Sequence, residues 1–155
     1  MSWQSMWRAA GRSRAFAPVV SRLLVADRWV SRLSKGRVVA LGMTPSLLLT
    51  STGRRSGQPR RSPLQYVRDG AAYVVVGSNW GRPTDPAWVY NLAAEPKATV
   101  TIGGADRPVV ASEVTGAEHE RLWRLLLDQW PGYSLYRQRA PHRTFRIFEL
   151  REHDA

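Results

Sequence analysis

The chain has no cysteine among its 155 residues, which excludes a disulfide scaffold and any thiolate-ligated metal. Long apolar runs are missing too: "SLLL" and "AAYVVVG" fall far short of the roughly 20 residues that a membrane-spanning helix needs. No apolar core of signal-peptide type follows Met1, because Arg8, Arg12 and Arg14 break the opening stretch. These absences predict a soluble chain in a reducing cytoplasm. Negative charge is scarce in one part only. Residues 1–62 carry twelve Lys/Arg against a single acid, Asp27, whereas residues 63–155 carry eleven of each. The whole net charge of +11 therefore lies in the N-terminal part. A field polarised this way favours an anionic partner: nucleic acid, anionic lipid or an acidic small molecule.

Self-contained catalytic constellations are missing as well. His119, His142 and His153 show no metal-ligand spacing and read as surface residues. There is no nucleophile-elbow serine and no His-Glu-x-x-His helix. "GRRSGQPRRS" lacks the Lys-Ser/Thr ending of a phosphate-binding Walker loop, and "VVVGSNWG" lacks the dinucleotide fingerprint. A chain so equipped needs a borrowed reagent, and a redox cofactor is one that a protein has only to bind, orient and shield.

What is present gives a scaffold. Phe16 to Lys35 reads as an amphipathic helix, with Phe16, Val19, Val20, Leu23, Val30 and Leu33 on one side and Arg28, Arg32 and Lys35 on the other. Ahead of it Trp3, Met6 and Trp7 interleave with arginines, a pattern that suits either packing on the domain or contact with an anionic membrane surface. "SLLLTST" is a short strand that ends at an arginine-rich loop. Hairpins are predicted around Asp69-Gly70 and Gly103-Gly104. Asp85 reads as the cap of a short helix that opens at Pro86 and closes at Pro96. Thr115 and Glu118 read as a capping box for "AEHERLWRLLLDQW". A short aromatic segment, "WPGYSLYRQ", precedes a closing strand, "RTFRIFEL". The order implies an α+β domain on an antiparallel sheet or small barrel over 41–155, preceded by a helical segment over 1–40.

The loop "GRRSGQPRRSP" suits three roles: gripping phosphate, wrapping single-stranded nucleic acid, or plain solvated surface. Guanidinium forks at Arg54, Arg55 and Arg60 match phosphate and carboxylate, and the glycines let amides converge on an anion. Trp80, Trp88, Tyr90, Trp130, Tyr133 and Tyr136 supply enough aromatic surface to wall a flat ring, although such residues also build cores.

Three stretches, "STGRRSGQPRRSPLQYVRDG", "VVVGSNWGRPTDPAWVYNLAAEPKATV" and "WPGYSLYRQ", together resemble the deazaflavin (coenzyme F420)-dependent nitroreductase family over residues 45–150. The resemblance implies a split β-barrel in which reduced F420 gives a hydride to a nitro compound, quinone or related enone. It implies that Arg54, Arg55, Ser56 and Arg60 hold the phosphate and acidic tail, and that Gly77, Ser78, Asn79 and Gly81 line the phosphate and ring. Trp88 and Asn91 would complete the cofactor wall. Ser78, Trp130, Tyr133 and Tyr136 would face the substrate, with Tyr133 or Ser78 donating a hydrogen bond or proton to the oxygen that becomes negative. Two departures stand out. Asn79-Trp80 takes the place of a Lys-Gly common in the family, and Gln65 and Trp130 stand where some members have Tyr. The alternatives are an FMN-binding split barrel and a basic nucleic-acid-binding module. On the main reading the partners are a small-molecule substrate, a weak anionic membrane surface and a second copy of the chain, with no nucleic acid.

Overall fold

The computed structural model describes residues 44–154. The amphipathic helix and aromatic tail expected before Leu41 lie outside the described residues.

Among the described residues there are seven strands: β1 (Ser46–Thr52), β2 (Pro59–Gln65), β3 (Val67–Asp69), β4 (Ala72–Val76), β5 (Lys97–Ile102), β6 (Ala105–Val114) and β7 (Ile147–Glu152). The described residues also form the helices α1 (Ala87–Ala94), α2 (Gly116–Gln129) and α3 (Tyr133–Arg139) and a 3-10 turn at Asn79–Gly81. The strands form one sheet in the order β2-β1-β5-β6-β7-β4-β3, and every pairing is antiparallel. The two ends of that order are consecutive in sequence, separated by Tyr66 alone. One continuous segment therefore serves as both edges, and the sheet must curl until it meets itself. That is the split β-barrel expected from the sequence. At the seam the Tyr66 amide leaves the ladder and donates to the Pro45 carbonyl, 3.1 Å away. Pro63 is accommodated in β2 opposite Leu48, where β2 has a strand on one side only.

Strand alternation sorts the apolar side chains into two cores. Tyr73 and Val75 of β4 join Leu47, Leu49, Val100 and Phe148 in one, capped by Trp88, Val89 and Leu92 of α1. Val74 and Val76 point the other way, into a second core with Leu122, Trp123 and Leu126 of α2 and Tyr133 and Tyr136 of α3. A run of five buried residues in β4 is thus a strand covered on both faces.

Three expectations need correction. Asp85 does not cap α1: the helix starts at Ala87 with Pro86 before it, and the Asp85 carboxylate instead meets Arg143 at 2.5 Å. A guanidinium at that distance holds a carboxylate more strongly than a helix amide does. Thr115 stands at the cap position of α2 without a side-chain capping bond, and Glu118 pairs with Arg121, which also grips Asp69 of β3. That pair ties α2 to the sheet. Finally, His119 is not a surface residue, because its Nε2 lies 2.7 Å from the Phe145 carbonyl on the packed side of α2.

Candidate active site

The arginine loop is a tight connection between β1 and β2. The Gly53 amide donates to the Gln58 carbonyl (2.8 Å) and the Gly57 amide to the Gly53 carbonyl (2.7 Å). Ser56 is spent inside the loop: its Oγ accepts from the Gln58 amide and lies 3.3 Å from an Arg60 guanidinium nitrogen. Helix α1 anchors the whole turn. Asn91, only 5% exposed, accepts from the Arg54 amide through Oδ1 (3.1 Å) and donates through Nδ2 to Ser51 Oγ (3.2 Å). The Arg54 guanidinium lies 4.6 Å above the Tyr90 ring on the same helix. Elsewhere in the described residues Arg107, Arg121, Arg143, Arg146 and Arg151 form ion pairs, while Arg68, Arg82, Arg124, Arg137 and Arg139 do not. Among the described residues Arg54, Arg55, Arg60 and Arg61 form none, and all four are exposed. An uncompensated cationic loop on a fixed backbone is a ready anion site.

The second segment follows β4. Gly77 passes so close to α1 that a Cβ there would lie 2.6 Å from Val89 Cγ2. Helix α1 therefore touches both the arginine loop and the start of this turn. Asn79 (φ 47°) and Trp80 (φ 61°) are left-handed, a conformation that costs a side-chain-bearing residue free energy. Gly81 (φ 73°) continues the bend, and a Cβ there would meet the Tyr136 carbonyl at 2.6 Å. The carbonyls of Ser78 and Asn79 accept from Gly81 and Arg82, so the turn closes on itself. Among the described residues the amides of Ser78, Asn79 and Trp80 have no acceptor. Consecutive amides around an αR-to-αL bend form a concavity suited to an anion.

Sequence reasoning missed the side chain that holds this turn. Arg143 lies on the 140–146 connection, its side chain 8% exposed. Its Nη1 donates to the carbonyls of Ser78 (3.2 Å) and Arg82 (2.6 Å), and its Nη2 to the Gly77 carbonyl (2.9 Å) and Asp85 Oδ1 (2.5 Å). Nothing local marks it, since its partners lie some 60 residues away in the chain.

The aromatic residues divide. Tyr133, Tyr136 and Trp130 come together in the second core, with Tyr133 and Tyr136 edge to face at 6.1 Å. Trp80 packs edge-on against Tyr136 at 6.0 Å, joining the turn to α3. Tyr133 is 6% exposed, and its hydroxyl lies 3.5 Å from Gln65 Oε1 at the end of β2. Trp88 is not with them. It lies in the first core, edge-on to Phe148 at 5.9 Å, and only 5% of it is exposed.

The split barrel thus carries an exposed arginine-rich loop, a left-handed turn after β4 and a helix bearing two buried tyrosines. Residues 24–150 match the F420H(2)-dependent quinone reductase family, and the chain belongs to it. It is 40% identical over 102 residues to an F420H(2)-dependent quinone reductase of Mycobacterium tuberculosis, covering 64% of this chain and 68% of that one. Among solved structures it resembles an F420-H2 dependent reductase, FDR-A, with a TM-score of 0.62 and 34% identity over 68% of this chain and 93% of that one. Another similar structure, described as a domain-swapped dimer, has a TM-score of 0.64 and 30% identity, covering 79% and 94%. The cofactor is reduced coenzyme F420. The residues fit it: unpaired arginines and free amides are the donors that its phosphate and acidic tail require.

Burial raises the Tyr133 phenol well above its usual range, reinforced by the neighbouring Tyr136, and burial likewise raises Tyr136. Tyr73 shifts the same way, from burial and its bond to Glu152. Folded phenols thus keep protons that unfolded ones release above pH 10.0, so this contribution to stability is complete below that pH and is lost above it. Urea midpoints followed from about pH 8 to about pH 11 should fall only in the alkaline limb. The Tyr133→Phe/Tyr136→Phe variant should show a shallower fall, with the remainder due to Tyr73.

Proposed function

We propose that this chain reduces quinones with a hydride supplied by bound reduced F420, and that nitro compounds and related enones are further acceptors. The observation that carries the cofactor side is the arginine loop, which forms no ion pair among the described residues and is fixed to α1 by Asn91. Arg54, Arg55 and Arg60 hold the phosphate and acidic tail. The turn Gly77–Gly81 presents the amides of Ser78 and Asn79 to the cofactor. Asn91 acts by fixing the Arg54 backbone, and Trp88 supports α1 from the core side. Ser56 shapes the loop through its own bonds.

On the acceptor side, Trp130 and Tyr136 exclude water, and Tyr133 donates a hydrogen bond to the oxygen on which negative charge grows. A phenol whose proton is held this firmly is a donor throughout the physiological range. Ser78 is the second candidate donor. A second copy of the chain is included as a partner on the strength of the similar domain-swapped structure.

Titration of the protein with oxidised F420 and with FMN tests the cofactor reading, and F420 is expected to bind the tighter. Arg55→Ala and Arg60→Ala should each weaken F420 by about 1.5–3 kcal/mol, the worth of a charge-assisted contact, with circular dichroism unchanged. Unaltered affinity in both variants would reduce the loop to solvated surface.

Tyr133→Phe keeps the ring and removes one hydroxyl, so stacking and water exclusion survive. Single-turnover oxidation of reduced F420 by a quinone should slow by about ten- to a thousandfold while F420 affinity stays near wild type. A variant as fast as wild type would pass the donor role to Ser78.

Among the described residues no helix is long and apolar enough to cross a membrane. We propose instead that residues 1–40 make weak surface contact with anionic lipid, on the evidence of Trp3, Trp7 and Phe16 among arginines. Co-sedimentation with phosphatidylglycerol vesicles should be salt-sensitive and should drop when residues 1–14 are removed; unchanged binding would rule the tail out as an anchor.

A further inference from the structure

We infer that Arg143 is a positioning residue for the cofactor site: its buried fork sets the backbone of residues 77–82 so that the amides of Ser78, Asn79 and Trp80 are left to meet an anionic group of the ligand. This rests on the cofactor reading above.

The geometry is specific to arginine. The two terminal nitrogens carry four hydrogens, and each has its own acceptor: three backbone carbonyls, from Gly77, Ser78 and Arg82, and one carboxylate oxygen of Asp85. The three carbonyls come from both ends of the turn, so a single planar group spans it and fixes its width. Only one of the four hydrogens goes to the opposite charge, which is more than a surface ion pair would do with its donors. An ammonium has three hydrogens radiating from one atom and cannot serve four acceptors spread around a plane. The Arg143 guanidinium also lies 4.8 Å from the Phe145 ring centroid, so its own orientation is held from behind.

Drawing the carbonyls to one side has a consequence for the other. Asn79 and Trp80 are left-handed, and such residues persist only where the surroundings over-determine them. Here the fork secures the flanks of the bend, while Trp80 against Tyr136 and the Asn79 side chain on the Thr84 carbonyl (2.8 Å) secure its tip. The free amides are then presented in a fixed concavity, already organised before any ligand arrives. Asp85, on the approach to α1, is the part of the device that keeps the Arg143 guanidinium in place.

The test compares F420 with its deazaflavin riboside fragment, which has the same ring and no phosphate or acidic tail. Both are titrated in the full-length wild type, Arg143→Lys and Asp85→Asn, with thermal melts alongside. Arg143→Lys should lose about tenfold or more in F420 affinity while the fragment binds within about twofold of wild type. Asp85→Asn leaves the three carbonyl contacts in place and should show the same selective loss, smaller in size. Equal loss of both ligands would mean a general structural role and would overturn the inference, as would Arg143→Lys binding F420 like wild type. Should Arg143→Lys fail to fold, Asp85→Asn decides: a variant that weakens both ligands alike, or neither, overturns it. Wild type that binds neither ligand would overturn the cofactor reading and this inference with it, whereas wild type that binds F420 leaves that reading standing whatever the variants do.

Discussion

One segment, Pro59 to Asp69, pairs with β1 through its first half and with β4 through its second, and the rest of the structure depends on that double pairing. The two edges of the sheet thus lie on one continuous segment, β2 pairing only with β1 and β3 only with β4. The sheet also has a fixed circumference, and this is what places the functional segments. The arginine loop precedes the shared strand, and Gln65, where its first half ends, meets Tyr133 of α3. β4, which pairs with its second half, runs directly into the glycine turn. Helix α1 touches both the arginine loop and the start of the glycine turn, and Trp80 joins that turn to α3.

Five arginines, Arg107, Arg121, Arg143, Arg146 and Arg151, are paired with carboxylates, and the pairs of the first four join separate segments of the fold. Those of the loop after β1 have no such partner among the described residues, although they stand on backbone that is tightly hydrogen-bonded. Keeping four like charges together is unfavourable for the fold.

The second core is rich in aromatic side chains. Tyr133 and Tyr136 are buried among Trp123, Phe145 and Trp130, which raises the cost of ionising them and keeps their hydroxyls as donors. The same burial packs the rings against one another. Trp80 links these rings to the glycine turn through its edge-on contact with Tyr136, and Gly81 allows the turn to approach α3 closely enough for that contact to form.

Both hairpin turns were legible in the sequence because each is a local pattern of Asp-Gly or Gly-Gly between strands, whereas the arginine stretch was legible only in part, since Arg60 and Arg61, read as loop, are paired with β1 in β2. The three motif stretches in their order were enough for the family. What a motif could not convey was the partner of each residue. Asp85 before a proline looked like a helix cap, Glu118 like half of a capping box and Trp88 like part of a cofactor wall. Only the fold brings Arg143 to Asp85, Arg121 to Glu118 and Phe148 to Trp88. Helix capping acts over three residues and can be read from them, whereas a charge-assisted bond across 58 residues exists only once the sheet has closed. The sequence by itself determined which groups the protein would have and how the local backbone would bend. The tertiary structure decided which of those groups were consumed in holding it together and which, like the loop arginines and the amides of Ser78 to Trp80, were left over for a ligand, because long-range contacts distribute the partners.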